Sequence, residues 1–209
     1  MKPKADFSLC LVTDVEDCVE QAILGGVTIV QLREKNADSL EFYQKAQRLR
    51  ALTKRLNVPL IINDRADIAL AVNADGVHIG QKDLPYNAVR RIIGQDKIIG
   101  VSASNLKEAL SAAEMGADYL GIGAMFATPT KPDAQLTSLN ELRHIRQAVH
   151  CPIIVIGGIN STTMVEFKGY GIDGVAVVSA IIDHPNPKNA ARAIAKNLKP
   201  PHPTGYFWG

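Results

Sequence analysis

The sequence predicts a single (β/α)₈ barrel, in which eight parallel strands close into a cylinder surrounded by helices. Eight short segments are apolar at successive residues rather than at alternate ones, as is typical of strands buried on both faces of a parallel sheet. Amphipathic helical stretches separate most of them. Eight strand–helix units favour a closed barrel over a doubly wound sheet. No G-x-G-x-x-G follows a strand and no Walker loop is present, which disfavours a nucleotide-binding sheet.

The elements follow one another in a regular order. The predicted strands are residues 8–12, 27–32, 59–62, 76–79, 98–101, 119–122, 152–156 and 174–178. Apolar side chains at three- and four-residue spacing predict helices over 38–54, 106–115 and 139–149. Asp14, Asp38 and Ser161 are the predicted helix N-caps.

A short phrase recurs before three of the strands and supports the repeating unit. It occurs at residues 73–77, 116–119 and 171–175, each time with a Gly or Asn that can end a helix in a left-handed conformation. An aspartate then opens the next strand, as Asp75, Asp118 and Asp173.

Composition limits the classes of function. The chain has 209 residues, with 23 Lys and Arg against 21 Asp and Glu, a net charge of +2. This balance disfavours a broad nucleic-acid surface but allows a local anion site. Three scattered cysteines fit neither a disulfide framework nor a zinc site. Since no apolar run approaches the ~18 residues of a membrane span, we expect a cytoplasmic protein that does not enter membranes.

We divide the chain into a barrel over residues 1–198 and a tail over residues 199–209. The tail is rich in proline and contains Tyr206, Phe207 and Trp208. Two interpretations stay open, a frayed end and an aromatic segment that packs on the barrel or on a second copy in a homo-oligomer.

Polar and charged residues follow almost every predicted strand, at the end where barrels hold their active sites. The strand-end residues are Gln31, Arg33, Glu34, Lys35, Asn63, Asp64, Arg65, His78, Gln81, Asp83, Ser102, Thr128, Thr130, Lys131, Gly157, Gly158, Asn160, Val178 and Ser179. Their shared placement is the strongest indication of function that the residues give.

The residue types indicate phosphorylated ligands. Four cations, Arg33, Lys35, Arg65 and Lys131, are predicted to converge from three loops. Two carboxylates, Asp64 and Asp83, suit Mg²⁺, which usually takes one or two carboxylates together with substrate phosphate oxygens. The turns at 157–158 and 178–179 follow the last two strands, where barrels often bind a phosphate. We therefore expect two phosphorylated substrates.

Each of these residues also has a structural interpretation. Arg33 and Glu34 could form a surface ion pair, and both aspartates could be cap or turn residues. The glycine pair at 157–158 could be only a tight turn. His78 lies within an apolar strand, so we interpret it as a hydrogen-bonded core histidine. No Cys–His or Ser–His–Asp arrangement is evident, which disfavours covalent catalysis.

Seven stretches together resemble the thiamine-phosphate synthase family. They are VQLREK (30–35), LIINDRADIALA (60–71), ADGVHIGQKDLP (74–85), IGVS (99–102), TPTK (128–131), IGGIN (156–160) and DGVAVVSAI (173–181). The resemblance implies a barrel enzyme that joins a hydroxymethylpyrimidine diphosphate to a thiazole phosphate, giving thiamine phosphate and diphosphate. It also implies Mg²⁺ bound by Asp64 and Asp83.

The resemblance assigns roles to individual residues. The implied catalytic residues are Arg33, Lys35, Ser102 and Lys131. The implied substrate-binding residues are Gln31, Leu32, Arg33, Glu34, Lys35, Asn63, Ser102, Thr128, Pro129, Thr130, Lys131, Gly157, Gly158, Val178 and Ser179. One loop departs from the family pattern, because residues 123–127 read GAMFA where a Gly-Pro-Ile-Phe-like sequence is common.

Two other functions are weighed against synthesis. A thiazole tautomerase of similar fold needs an acid–base group, most often His, and the loop after the sixth strand contains none. A non-catalytic barrel that only binds phosphorylated ligands would have no need of a magnesium-assisted leaving group. Both aspartates and the cations therefore favour the coupling reaction.

Overall fold

The computed structural model describes residues 2–3, 5–128 and 135–198 and contains a closed eight-stranded barrel. Each strand is parallel to the next along the chain, and β8 pairs with β1 to close the cylinder. The strands are β1 Leu9–Thr13, β2 Ile29–Leu32, β3 Leu60–Asn63, β4 Gly76–Ile79, β5 Ile98–Ala103, β6 Tyr119–Ile122, β7 Ile153–Ile156 and β8 Gly174–Val177. The predicted fold and all eight predicted strands are confirmed.

Helices follow the strands on the outside of the barrel. They are α1 Val19–Gly25, α2 Ser39–Arg55, α3 Ala66–Ala71, α4 Tyr86–Ile93, α5 Leu106–Glu114, α6 Leu139–Ala148, α7 Ser179–Ile182 and α8 Pro187–Ala195. The three predicted helices correspond to α2, α5 and α6. Between β7 and β8 the chain forms a short 3₁₀ helix, Thr163–Phe167, in place of an α-helix.

The side chains of the strands form two apolar layers. One layer fills the barrel and includes Cys10, Ile29, Ile61 and Tyr119. The other, larger layer lies between the strands and the helices. Alternate residues of a strand point to opposite faces, so a strand that is apolar on both faces contributes to both layers. The continuous apolar runs of the sequence have this origin.

One of the three predicted helix caps is confirmed. The Asp38 side chain accepts a hydrogen bond from the Glu41 N–H at the start of α2. Asp14 lies in the loop after β1, and α1 begins after Cys18, which makes no side-chain cap. At the 3₁₀ helix, Asn160 rather than Ser161 accepts from the Thr162 and Thr163 N–H groups. The predictions for Asp14 and Ser161 are therefore wrong.

The recurrent aspartates link neighbouring strands at the amino-terminal end of the barrel. Each carboxylate accepts the backbone N–H at or next to the start of the preceding strand and pairs with an arginine of the helix before that strand. The sets are Asp75 with Leu60 and Arg50, Asp118 with Ile99 and Arg90, and Asp173 with Ile153 and Arg146. Between β1 and β2 a threonine takes the place of the aspartate, and the Thr28 hydroxyl accepts from the Leu9 N–H at 3.0 Å. The repeat seen in the sequence is thus a repeated hydrogen-bonded link.

Among the described helices, none has the length and apolar character that crossing a membrane requires.

Candidate active site

Four polar side chains lie at the carboxyl ends of adjacent strands. Gln31 of β2, Asn63 of β3 and His78 of β4 are 5%, 7% and 8% exposed, and Ser102 of β5 is half-buried. The strand register pairs Asn63 with His78, so their side chains lie side by side across two strands. A band of polar groups therefore covers the apolar interior at this end of the barrel, as the sequence predicted.

A charged cluster lies beside this band and joins three loops. Lys35, after β2, forms an ion pair with Asp64, after β3. The Asp64 carboxyl group lies close enough to Asp83, in the loop after β4, to raise the pKa of Asp83. Asp64 has a φ of 62°, a left-handed conformation that aspartate adopts more readily than most residues. The chain therefore accepts an unusual backbone conformation at the residue that connects Lys35 with Asp83.

Asp83 is held in place by its own loop. Its Oδ2 accepts the Gly80 N–H at 2.7 Å, and a Cβ on Gly80 would lie 3.1 Å from that oxygen. Burial and the neighbouring Asp64 raise the pKa of Asp83, while Lys35 opposes the shift. The two carboxyl groups supply oxygen ligands that suit a divalent cation, and Lys35 neutralises part of their charge. Asp64 and Asp83 are a pair only, since no group of three or more His, Cys, Asp or Glu side chains that could hold a metal gathers anywhere in the described chain.

The three residues between Gln31 and Lys35 face different surroundings. Leu32 is fully buried in the layer between strands and helices, so its predicted contact with substrate does not hold for the side chain. Glu34 pairs with Lys45 of α2 and accepts the Asn36 N–H. Burial opposes ionisation of Glu34, but these hydrogen bonds outweigh it and keep its pKa below the usual range. Arg33 forms no ion pair with any described residue, which leaves its guanidinium available for an anion.

Arg65 does not join the predicted set of converging cations. Its guanidinium makes a two-pronged ion pair with Asp67 and donates to the Ser39 hydroxyl at 3.1 Å. The hydrogen bonds that Arg65 donates to Asp67 raise the Arg65 pKa. Arg65 therefore links α2 and α3. The strand-end pattern did not include Asp67, which neutralises the Arg65 charge.

A buried hydrogen-bonded chain lies under Ser102. His78 Nε2 is 2.8 Å from Ser102 Oγ, and His78 Nδ1 is 2.9 Å from the Tyr119 hydroxyl. Burial lowers the pKa of His78 to about 4, although the charge of Asp83 opposes the shift. The interpretation of His78 as a hydrogen-bonded core histidine is confirmed. Its contact with Ser102 was not evident from the sequence, and Tyr119 was predicted only as part of an apolar strand.

A cavity of about 440 Å³ opens on the opposite half of the barrel mouth. Thr128, Gly158 and Ser179 line it, together with Asn160 and Thr163. Val178 precedes this lining as the residue before α7. The structure thus brings together three of the residues predicted to hold a phosphate. Pro129, Thr130 and Lys131, also predicted here, lie outside the described residues, as does the 199–209 tail.

The glycine pair after β7 is required by close packing. Gly157 and Gly158 have φ values of 99° and 66°, which L side chains rarely adopt. A Cβ on Gly157 would lie 2.7 Å from the Cβ of Ala124, and one on Gly158 would lie 2.7 Å from the Cβ of Phe126. The loop that departs from the family pattern therefore packs directly on this turn and forms one wall of the cavity.

Comparison with known proteins agrees with this geometry. Residues 5–181 match the family described as thiamine monophosphate synthase. A thiamine-phosphate synthase from Clostridium beijerinckii is 55% identical over 93% of this chain and 97% of its own length. This chain belongs to the thiamine monophosphate synthase family. A thiamine-phosphate synthase from Clostridium tetani is 52% identical over 97% of this chain and 96% of its own length.

Solved structures support the same assignment. Thiamine phosphate pyrophosphorylase from Pyrococcus furiosus superposes with a TM-score of 0.85 at 38% identity, covering 92% of this chain and 95% of that one. A 3-hexulose-6-phosphate synthase with 18% identity and a TM-score of 0.63 shares the fold. As a member of the thiamine monophosphate synthase family, this protein is an enzyme, a transferase of thiamine biosynthesis that forms thiamine phosphate.

Proposed function

We propose that this protein joins 4-amino-2-methyl-5-hydroxymethylpyrimidine diphosphate to 4-methyl-5-(2-phosphoethyl)thiazole, releasing diphosphate. The bond between the methylene carbon and the diphosphate oxygen breaks, and its electron pair leaves with diphosphate. The thiazole nitrogen then forms the new bond to that carbon. The observation that carries the proposal is the presence of two anion-suited regions at one barrel mouth, the charged cluster after β2–β4 and the cavity after β6–β8.

The charged cluster fits the diphosphate of the pyrimidine substrate. Arg33 and Lys35 supply positive charge at the end of β2, and we assign a similar role to Lys131. Asp64 and Asp83 are the residues that would hold Mg²⁺, whose charge would offset the negative charge developing on the leaving diphosphate. Lys35 already neutralises part of the Asp64 charge. A leaving group that departs with its electron pair requires this kind of electrostatic stabilisation.

The cavity after β6–β8 fits the phosphate of the thiazole substrate. Thr128 and Ser179 line it, and the Gly158 backbone comes close because no side chain intervenes. Asn63 and Ser102 lie at the carboxyl ends of β3 and β5, and we assign them to the pyrimidine ring. When both reactants are held in one site, the entropy of bringing them together is lost on binding and not in the chemical step. The site also excludes water from the cation that forms.

The test is a coupling assay with the purified protein, both substrates and MgCl₂. We expect stoichiometric thiamine phosphate and diphosphate, no product when either substrate is omitted, and loss of activity with excess EDTA that MgCl₂ restores. Isomerisation of the thiazole without coupling would instead identify a tautomerase. Tight binding of both substrates without turnover would identify a binding protein.

A further inference from the structure

A continuous chain of hydrogen-bonding side chains crosses the inside of the barrel beneath the candidate active site. Tyr119, 2% exposed, contacts His78 Nδ1 through its hydroxyl, and His78 Nε2 contacts Ser102 Oγ. The Gln31 side chain also hydrogen-bonds to Tyr119. The two ends of the chain, Gln31 and Ser102, are the residues to which we assign substrate contacts. The two middle residues have no such assignment.

The direction of these hydrogen bonds depends on the tautomer of His78. Gln31 lowers the pKa of Tyr119, which is the effect of an amide N–H donated to the phenolic oxygen. In the arrangement that we infer, the phenolic proton is directed to His78 Nδ1, 2.9 Å away. A neutral imidazole that accepts at Nδ1 carries its proton on Nε2, and there it donates to Ser102 Oγ. The Ser102 oxygen is then an acceptor within the protein. Its own proton is left to donate to a ligand.

The strands are shaped to hold the two rings in this arrangement. Gly100 of β5 lies beside Tyr119, where a Cβ would come within 2.1 Å of the ring atom Cζ. Gly121 of β6 lies beside His78, where a Cβ would be 3.0 Å from Cε1. Phe7 packs against the Tyr119 ring with centroids 5.1 Å apart. Two glycines at inward positions therefore make room for the rings, and Phe7 supports the tyrosine.

We propose that Tyr119 and His78 are positioning residues that fix Ser102 as a hydrogen-bond donor to an acceptor atom of the pyrimidine substrate. The inference rests on the proposed function for the identity of that substrate. Neither residue needs to touch the ligand, because each acts through the next member of the chain. The tyrosine selects the histidine tautomer, and the tautomer selects the direction of the Ser102 hydroxyl.

This direction also determines what Ser102 does not do. A serine nucleophile needs a neighbouring nitrogen that accepts its proton. Here His78 Nε2 carries a proton and donates to Ser102, so the Ser–His contact does not activate the hydroxyl. The arrangement agrees with a reaction in which the thiazole nitrogen, rather than a protein group, attacks the carbon.

The first test measures the tautomer directly and needs no substrate. In ¹⁵N–¹H spectra of the imidazole rings, with the His78 signal assigned by its loss in His78→Gln, we expect His78 to be neutral with the proton on Nε2. A proton on Nδ1 in the wild-type protein would overturn the proposal. Because this measurement is made on the free protein, it is independent of whether the coupling assay succeeds.

The second test removes the tyrosine hydroxyl. We expect Tyr119→Phe to lose the single Nε2–H tautomer and to raise KM for the pyrimidine diphosphate roughly tenfold, the factor for one hydrogen bond, with KM for the thiazole phosphate unchanged. Adding Tyr119→Phe to Ser102→Ala should cause no further rise in KM, because both changes remove the same contact. Tyr170→Phe, at a tyrosine that stacks with Arg143, is the matched control.

Two probes distinguish the acceptor atom on the substrate. Weaker binding of inorganic diphosphate to Tyr119→Phe would place the Ser102 contact on a diphosphate oxygen. Weaker binding of the hydroxymethylpyrimidine alcohol would place it on the ring. If Tyr119→Phe lowers thermal stability while the His78 tautomer and the binding of both probes stay unchanged, the tyrosine is structural only and the proposal fails.

Discussion

At the scale of single residues, the contact between Asp64 and Asp83 is the feature that most constrains function. Both carboxyl groups lie in loops, and burial together with Asp64 raises the pKa of Asp83. Like-charged groups in contact destabilise a folded protein unless a cation lies between them. Lys35 offsets only part of this repulsion, since it pairs with Asp64 alone. The site therefore carries a local energetic cost that a bound divalent cation would remove.

Substitution of one carboxylate tests this cost without measuring turnover. We expect Asp83→Asn to raise the melting temperature in EDTA by a few degrees, because the amide still accepts from the Gly80 N–H while the repulsion disappears. The stabilisation that MgCl₂ gives the wild-type protein should be largely lost, as linkage requires when the binding site is removed. Asp67→Asn is the control, because its carboxylate pairs with Arg65 and should leave the MgCl₂ effect intact. An unchanged MgCl₂ effect in Asp83→Asn would make Asp83 a turn residue.

The sequence predicted strand-end residues well and their partners poorly. Gln31, Asn63 and Ser102 were found because their strands have a clear apolar pattern, which fixes where each strand ends. Leu32 was assigned with its motif, although strand alternation turns its side chain away from the barrel interior. The pairing of Arg65 with Asp67 depends on local side-chain geometry that no residue pattern encodes.

At the scale of elements, the links at the amino-terminal ends of β4, β6 and β8 explain how a short chain closes a barrel. Asp173 accepts the Ile153 N–H at 2.8 Å, and the Asp173 N–H donates to the Ile153 oxygen at 2.9 Å. Arg146 of α6 binds the same carboxylate. One side chain therefore fixes the register of two strands and attaches a helix to them. The sequence showed the repeated aspartate but not its partners, because these lie 15 to 28 residues away along the chain.

Loss of one such link should affect stability and leave chemistry intact. We expect Asp173→Ala to lower the free energy of unfolding by about 2 kcal/mol, since it leaves the Ile153 N–H and Arg146 without their partner. Asp173→Asn should cost less, because the amide oxygen still accepts from Ile153. Urea unfolding measures both values. At a temperature where each variant is folded, its coupling rate should equal that of the wild type, since the amino-terminal end of a barrel contributes to stability and not to catalysis. A reduced rate would contradict this division of roles between the two ends.

At the scale of the whole molecule, the barrel interior holds one apolar cluster that includes Cys10. The thiol is 1% exposed, and burial raises its pKa from 9.0 to about 12. Closure of all eight strands leaves no local opening that would expose β1 alone. The ionisation of this one thiol is therefore linked to unfolding of the entire barrel.

The sign of the linkage predicts an alkaline loss of stability. A group whose pKa is higher in the folded state contributes stability below its unfolded pKa, and that contribution is lost as pH rises from about 9 towards about 12. We expect the wild-type free energy of unfolding to fall faster than that of Cys10→Ala above pH 9, with the difference approaching about 1.4 kcal/mol per pH unit. Urea unfolding at pH 7 to 10.5, with Cys151→Ala as the matched control for a partly exposed thiol, measures this. Since Tyr and Lys titrate in all three proteins, only the difference in the free energy of unfolding between variants is informative. Parallel plots of that free energy against pH for the wild type and Cys10→Ala would show that Cys10 ionises without global unfolding.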